Sequence, residues 1–330
     1  MQETVIDDVA EVASGETLAA VKAFVAQAVR PTTKVIYLLG CGGSHYMFGV
    51  LKYLLAASPI PAVDLNSAEF TATPPAALGA DSIVIASSTH GTTMETAEAI
   101  TVARKAGAPV LLVSQTSDNP CGEAAEYIVN HNGVEAKQVL LAALAHELLM
   151  AQDAVPAGLP SAQDLVGIGE VFPESNRVWD EKLNDIAAAV AQAPVTFIAG
   201  SGPNDGAADT LAACYLMEMQ NLIAVASGAN DFLHGTHEMV TESTNLVVFL
   251  GEDGSRSVAQ RTVDFGNRFS DNCHVLDTEE LPMTGVAPEH RGAVSAILFA
   301  SSIIALLAKH VEAKTNEPLI SRKYMWKVEY

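Results

Sequence analysis

Val35-Ile-Tyr-Leu-Leu-Gly-Cys-Gly-Gly-Ser44 reads as a short apolar strand running straight into a glycine-rich loop, and a helical segment from about His45 to Ala56 follows. Val195-Thr-Phe-Ile-Ala199 repeats the plan 160 residues later: it runs into Gly200-Ser-Gly-Pro-Asn204, with a helix to about Gln220. Strand, glycine loop and helix, twice, form a weak internal repeat. Outward from these two points lie further short β-branched runs: Ser82–Ala86, Pro109–Val113 and Glu126–Val129 in the first half, and Ile223–Ala226, Asn245–Leu250 and His274–Leu276 in the second. Helical patterns separate them, such as Thr93–Ala106, which stops at Gly107, a natural C-cap. Strands alternating with helices of this length predict βαβ units and parallel sheets, hence an α/β fold. Pro and Gly punctuation over residues 155–162 divides the chain into domains 1–155 and 156–330; Ile168–Ala193 reads as the helix opening the second, and Leu281–His290 as a loop.

Composition narrows the function classes. The 330 residues are long enough for two cores without covalent staples. A formal charge of −21 disfavours nucleic acid and anionic membranes as partners, but leaves room for a local anion site built from backbone N–H groups and hydroxyls. Cys41, Cys121, Cys214 and Cys273 form no Cys-x-x-Cys pair and read as buried, reduced thiols. The acidic N-terminus lacks the apolar core of a signal peptide. The apolar stretch Ala293–Ala308 is interrupted by three serines and reads as a core helix rather than a membrane span. A cytoplasmic protein is expected.

In open parallel sheets ligands bind at the carboxyl ends of the strands. There the sequence places Ser87-Ser-Thr-His-Gly-Thr-Thr93, followed by a helix opening with Met94-Glu95-Thr96. Hydroxyls, a glycine and free N–H groups at a helix N-terminus suit a phosphate without a lysine, although an ordinary Ser/Thr-rich cap has the same composition. A dinucleotide fingerprint is a weaker reading of Gly40–Ser44, because His45 stands where that pattern needs Gly or Ala; Asp64 has the spacing of its ribose acid.

In the second half Leu211, Cys214, Tyr215, Glu218 and Leu222 follow helical spacing, which puts Glu218 on an apolar stripe. A carboxylate there is partly desolvated, its pKa rises, and it becomes a candidate general base; a structurally paired Glu is the competing reading. His234-Gly235 sits where a loop turns into a helix, a place from which a histidine can exchange protons near neutral pH, or simply be structural. His234, His237 and Glu238 have no third ligand at convincing spacing, so no metal is expected.

Together these pieces resemble the SIS (sugar isomerase) family of phosphosugar isomerases, as two tandem SIS domains covering nearly the whole chain. The family's Gly-x-Gly-x-Ser is matched by Gly40, Gly42 and Ser44, and its phosphate loop by Ser88, Gly91, Thr93, Glu95 and Thr96, with His90 replacing a serine. The isomerase domain of glucosamine-6-phosphate synthase keeps a catalytic Glu sixteen residues before a His-Gly, as Glu218 and His234-Gly235 do here, although Tyr215 and Tyr324 stand where the synthase has lysines. The fructosamine 6-phosphate deglycase branch is the more similar, through Leu216-Met217-Glu218, the segment Phe249–Arg256, and a tail with Arg322 that closes on Val328-Glu329-Tyr330.

The resemblance implies a phosphorylated amino-sugar substrate, with Gly42, Ser44, Ser88, Thr89, His90, Gly91, Thr93, Glu135 and Tyr324 as binding residues, and Glu218 and His234 as catalytic ones. It implies no cofactor, and a homodimer in which the His reaches the site from the neighbouring protomer. A phosphosugar isomerase or amino-sugar phosphate deaminase would use the same residues. A non-catalytic sugar-phosphate sensor is the alternative of another class.

Overall fold

The computed structural model describes residues 2–329, so Tyr330 of the tail motif lies outside the described residues. Two compact units emerge, Met1–Phe172 with Gly285–Ile297, and Pro173–Thr284 with Leu298–Tyr330. The division therefore falls at 172/173 rather than at the Pro/Gly-marked 155/156, and a second stretch, Gly285–Ile297, rejoins the first unit.

The first unit is built on a parallel sheet of β1 (Val35–Gly40), β2 (Ala62–Asn66), β3 (Ser82–Ser87), β4 (Val110–Ser114) and β5 (Tyr127–Asn130), in the order β2-β1-β3-β4-β5. The three inner strands are buried along their whole length, which is why they read as unbroken apolar runs. Val35, Tyr37 and Leu39 point to one face, where they join Val84, Ala86, Val110 and Leu112 against Ala99, Ile100 and Ala103 of the helix Met94–Lys105. Each Val, Leu or Ile side chain among them removed from water contributes about 1.5–3 kcal/mol. The alternate residues Ile36 and Leu38 are equally buried.

The second unit carries β6 (Thr196–Gly200), β7 (Ala224–Gly228), β8 (Asn245–Leu250) and β9 (Asn272–Asp277), all parallel, in the order β7-β6-β8-β9. Phe197, Ala199, Leu246, Val248 and Leu250 pack with Phe232 and with Ala259 and Val263 of the helix Arg256–Phe269. In both sheets the strand order reverses beside the first strand, between β1 and β3 and between β6 and β8. These are the crevices where such folds bind ligands.

Several expectations are refined. The segment expected as one helix from Ile168 is a 3₁₀ turn, Ile168–Glu170, followed by the helix Val171–Gln192. The helix expected over 209–220 is π-helical from Thr210 to Met219, and Leu222 lies beyond it, its N–H donating to the Leu216 carbonyl at 2.9 Å. All four cysteines are free, but only Cys121 is fully buried. The apolar stretch near the C-terminus belongs to a continuous helix, Pro288–Thr315, long and apolar enough to cross a membrane; 78% of its most apolar window is buried inside the protein, as expected of a core helix.

Candidate active site

At the carboxyl ends of β1 and β3 the predicted phosphate residues come together within the first unit. The Ser88 hydroxyl donates to Thr93 Oγ1 at 3.1 Å, and Ser44 Oγ lies 3.4 Å from Thr89 Oγ1. The loop then enters the helix Met94–Lys105, whose N-cap, Thr93, makes no side-chain cap bond. The first N–H groups of that helix thus face the loop uncapped, and its dipole favours an anion there. His90 is exposed at the loop tip, and Gly42 is exposed with a φ of +52° where β1 turns into its helix. Glu135 is half-buried in the first turn of the helix Gly133–Met150, its carboxylate 3.3 Å from where a Cβ on Gly133 would stand. Asp64, the dinucleotide candidate, is held by Lys52 at 2.9 Å.

The loop's shape is imposed by neighbours that sequence reasoning did not single out. The Thr89 carbonyl accepts from the Gln115 N–H at 2.9 Å and the Ser114 hydroxyl at 3.3 Å, and the Gly91 carbonyl from the Cys121 N–H at 3.0 Å. Asn119 caps the short helix Pro120–Ala124 by accepting from Gly122 N–H at 2.8 Å. Its Asn-Pro start was the visible signal. A Cβ on Gly91 would fall 1.9 Å from Asn119 Oδ1, and Gly91 has a φ of +66°. Gly91→Ala is therefore expected to destabilise the protein by about 2 kcal/mol and to weaken inorganic phosphate binding, measured by urea denaturation and by calorimetric titration. Unchanged stability and affinity would mean that the loop does not need this conformation.

In the second unit Glu218 stands near the end of the π-helical segment, with its side chain 24% exposed. Burial raises its pKa above the ordinary carboxylate value, against the opposing charge of Arg322, whose Nε lies 2.7 Å from Oε1. The Arg322 N–H does not point along that contact, so it is a close ion pair rather than a directed hydrogen bond. The sequence placed Arg322 in the tail without a role, because nothing local links positions 104 residues apart.

His234 is exposed on the loop after the short helix Ala229–Phe232. Phe232 anchors that loop in the core, edge-on to Phe197 at 6.5 Å, and the Thr262 hydroxyl donates to the Ala229 carbonyl at 2.7 Å. Among the described residues His234 makes no ion pair with Glu218. His237 lies 3.2 Å from Glu238, and no three His, Cys, Asp or Glu side chains among the described residues converge as a metal site. Tyr324 is exposed, two residues beyond Arg322.

The SIS-domain family profile matches residues 32–151. The chain is 27% identical to the fructosamine deglycase FrlB of Bacillus subtilis (strain 168), over 94% of this chain and 97% of that one. It is 24% identical to the fructoselysine 6-phosphate deglycase of Escherichia coli (strain K12), over 84% and 83%. A solved Bacillus subtilis structure described as a phosphosugar isomerase superposes with a TM-score of 0.89 at 26% identity, covering 96% of this chain and 99% of that one. The chain thus carries a SIS domain on residues 32–151, has a second parallel sheet in its other unit, and is similar along most of its length to fructosamine-type deglycases and to a phosphosugar isomerase structure.

Proposed function

We propose that this protein is a deglycase that cleaves a ketosamine 6-phosphate to a sugar 6-phosphate and a free amine. The setting of Glu218 carries the reading: a half-buried carboxylate of raised pKa, sixteen residues ahead of a loop histidine, in a relative of proteins named for this reaction. In this reading Ser44, Ser88, Thr89 and Thr93 receive the phosphate through their hydroxyls, and the uncapped helix start supplies N–H donors. His234 passes a proton to or from the ring oxygen as the sugar opens. Glu218 removes a proton from C1 and returns it at C2, through an enolamine. The resulting imine takes up water and splits into amine and sugar phosphate, with no change of redox state. Holding the phosphate remote from the reacting carbons converts binding energy into orientation of C1 and C2.

The protein acts as a homodimer in the cytoplasm in this reading. The edge strand β7 leaves Val225, and Ile223 just before it, exposed; such apolar edges in stable proteins are covered. Four free thiols suit a reducing compartment.

The test is incubation of the purified protein with fructoselysine 6-phosphate and with glucoselysine 6-phosphate, following hexose 6-phosphate release by coupled assay. Release from one of them is the expected result and identifies the preferred linkage. No release from either, with turnover of fructose 6-phosphate or glucosamine 6-phosphate instead, would replace the deglycase by an isomerase or deaminase.

A further inference from the structure

The C-terminal tail buries the wrong kind of residue for ordinary packing. Ile320, Tyr324, Trp326 and Val328 stand in solvent, yet the side chain of Arg322 is only 8% exposed. Arg322 Nη1 donates to the carbonyls of Leu319 at 2.9 Å and Ser321 at 2.7 Å, its guanidinium lies 5.2 Å from the Trp326 ring centre, and its Nε edge meets Glu218 Oε1. A guanidinium satisfied along one edge by its own backbone and stacked on an aromatic ring is held rigidly, as a flexible lysine would not be.

The tail's root is fastened to the same stretch of chain that carries Glu218. Gln220, two residues on and buried, donates to the Glu317 carbonyl at 2.7 Å and accepts from the Thr315 hydroxyl at 2.6 Å. Glu312 Oε1 accepts from the Leu319 N–H at 2.8 Å, and Asn316 turns the chain with a φ of +57°. The strap is thus clamped on both sides of its turn, and its arginine lands on the carboxylate.

Resting on the assignment of Glu218 as the base, we propose that Arg322 is its positioning residue: the tail delivers a guanidinium that holds the Glu218 carboxylate in place as a close ion pair and keeps it ionised. The elements packed against the Glu218 segment carry Asp205, Asp209, Lys309, His310, Glu312 and Lys314. Of these and the tail's charged groups among the described residues, Arg322 is the one that bears on the carboxylate. Burial alone would drive Glu218 towards its protonated form, in which it cannot accept a proton; the arginine opposes this.

The experiment is direct titration of Glu218 by carbon NMR in protein labelled at glutamate Cδ, with the resonance identified by its absence in Glu218→Gln. In Arg322→Gln the midpoint is expected to rise by on the order of one pH unit, and in Arg322→Lys by less. Gln220→Ala, which loosens the root and leaves the ion pair's own atoms intact, is expected to move it in the same direction. The acid limb of kcat/KM should move with it. A midpoint unchanged or lowered in Arg322→Lys and Gln220→Ala, variants that keep a positive charge at 322, together with Arg322→Gln wherever it folds, overturns the proposal. Because the titration needs no substrate, absence of turnover by the wild-type protein would instead count against the deglycase reading alone.

Discussion

Glu218→Gln is expected to lower kcat/KM on the preferred ketosamine 6-phosphate by about 10²–10⁴-fold while leaving phosphosugar binding within a few-fold of wild type. Glutamine keeps the shape of the side chain and removes only its capacity to take a proton, so the loss falls on the step in which a proton leaves C1. The wild-type rate should have an acid limb above the ordinary carboxylate range, because burial raises the Glu218 pKa and the protonated side chain cannot act as a base. The sign follows from the direction of the shift: activity is present above the raised pKa and falls as the pH drops through it. A general base whose pKa is lifted towards the working pH is also a stronger proton acceptor, which is the catalytic gain obtained from the cost of burying it. Full activity in Glu218→Gln would remove this residue from the chemistry. Loss of binding together with loss of rate would make it a substrate contact instead. If the histidine is supplied by a second copy, mixing Glu218→Gln with His234→Ala should restore a measurable fraction of the rate after subunit exchange, and mixtures that stay inactive would confine the site to one protomer.

How much of this arrangement is readable from sequence depends on which physical signal each part leaves. The inner strands β1, β3, β4, β6 and β8 are buried on both faces and so appear as short unbroken apolar runs. The edge strand β2, Ala62–Asn66, carries Asp64 and Asn66 and is only partly buried, so its pattern resembles a loop. The hydroxyl loop after β3 was legible because its chemistry is local. Its supports, Ser114, Gln115 and Asn119, come from the neighbouring β4 and the loop beyond, and only pairing of β3 with β4 brings them alongside. The π-helical turn over Thr210–Met219 was not legible: apolar positions spaced for 3.6 residues per turn suggested Leu222 beside Glu218, whereas the wider turn ends the helix before Leu222. Such turns are frequent at functional sites, and here one carries the candidate base. The partial burial of Glu218 was legible from its place on an apolar stripe, while the charge that balances it arrives from a tail whose docking no periodicity announces.

A proton on His131 should cost the folded protein about 3 kcal/mol. His131 follows β5 and is 4% exposed; Nδ1 donates to the Gly133 carbonyl at 3.0 Å, while Nε2 is buried without a hydrogen-bond partner. Burial, reinforced by the charge of Lys137, pushes its pKa down from 6.5 to about 4. Above pH 6.5 neither the folded nor the unfolded chain binds this proton, and the contribution is fully present. Between 6.5 and about 4 the unfolded chain is protonated and the folded one is not, so stability falls steadily with pH; below about 4 both bind it and the loss levels off. Urea denaturation of wild type and His131→Gln at pH 7, 5.5 and 4.5 isolates the term, since the carboxylates and His274, whose pKa is also lowered by burial, titrate in both proteins. The difference in unfolding free energy between the two proteins should shift by about 1.4 kcal/mol between pH 7 and 5.5, and by more at 4.5. Parallel pH dependences would mean that His131 has the same pKa in the folded and unfolded chain. The location gives the result a functional reach: the His131 N–H donates to the Ser114 carbonyl at 3.2 Å, and the Ser114 hydroxyl donates to the Thr89 carbonyl of the phosphate loop. The histidine that the folded chain keeps unprotonated down to about pH 4 is therefore two hydrogen bonds from the loop proposed to take the phosphate, and only below that pH should its protonation weaken phosphate binding, in the wild type and not in His131→Gln.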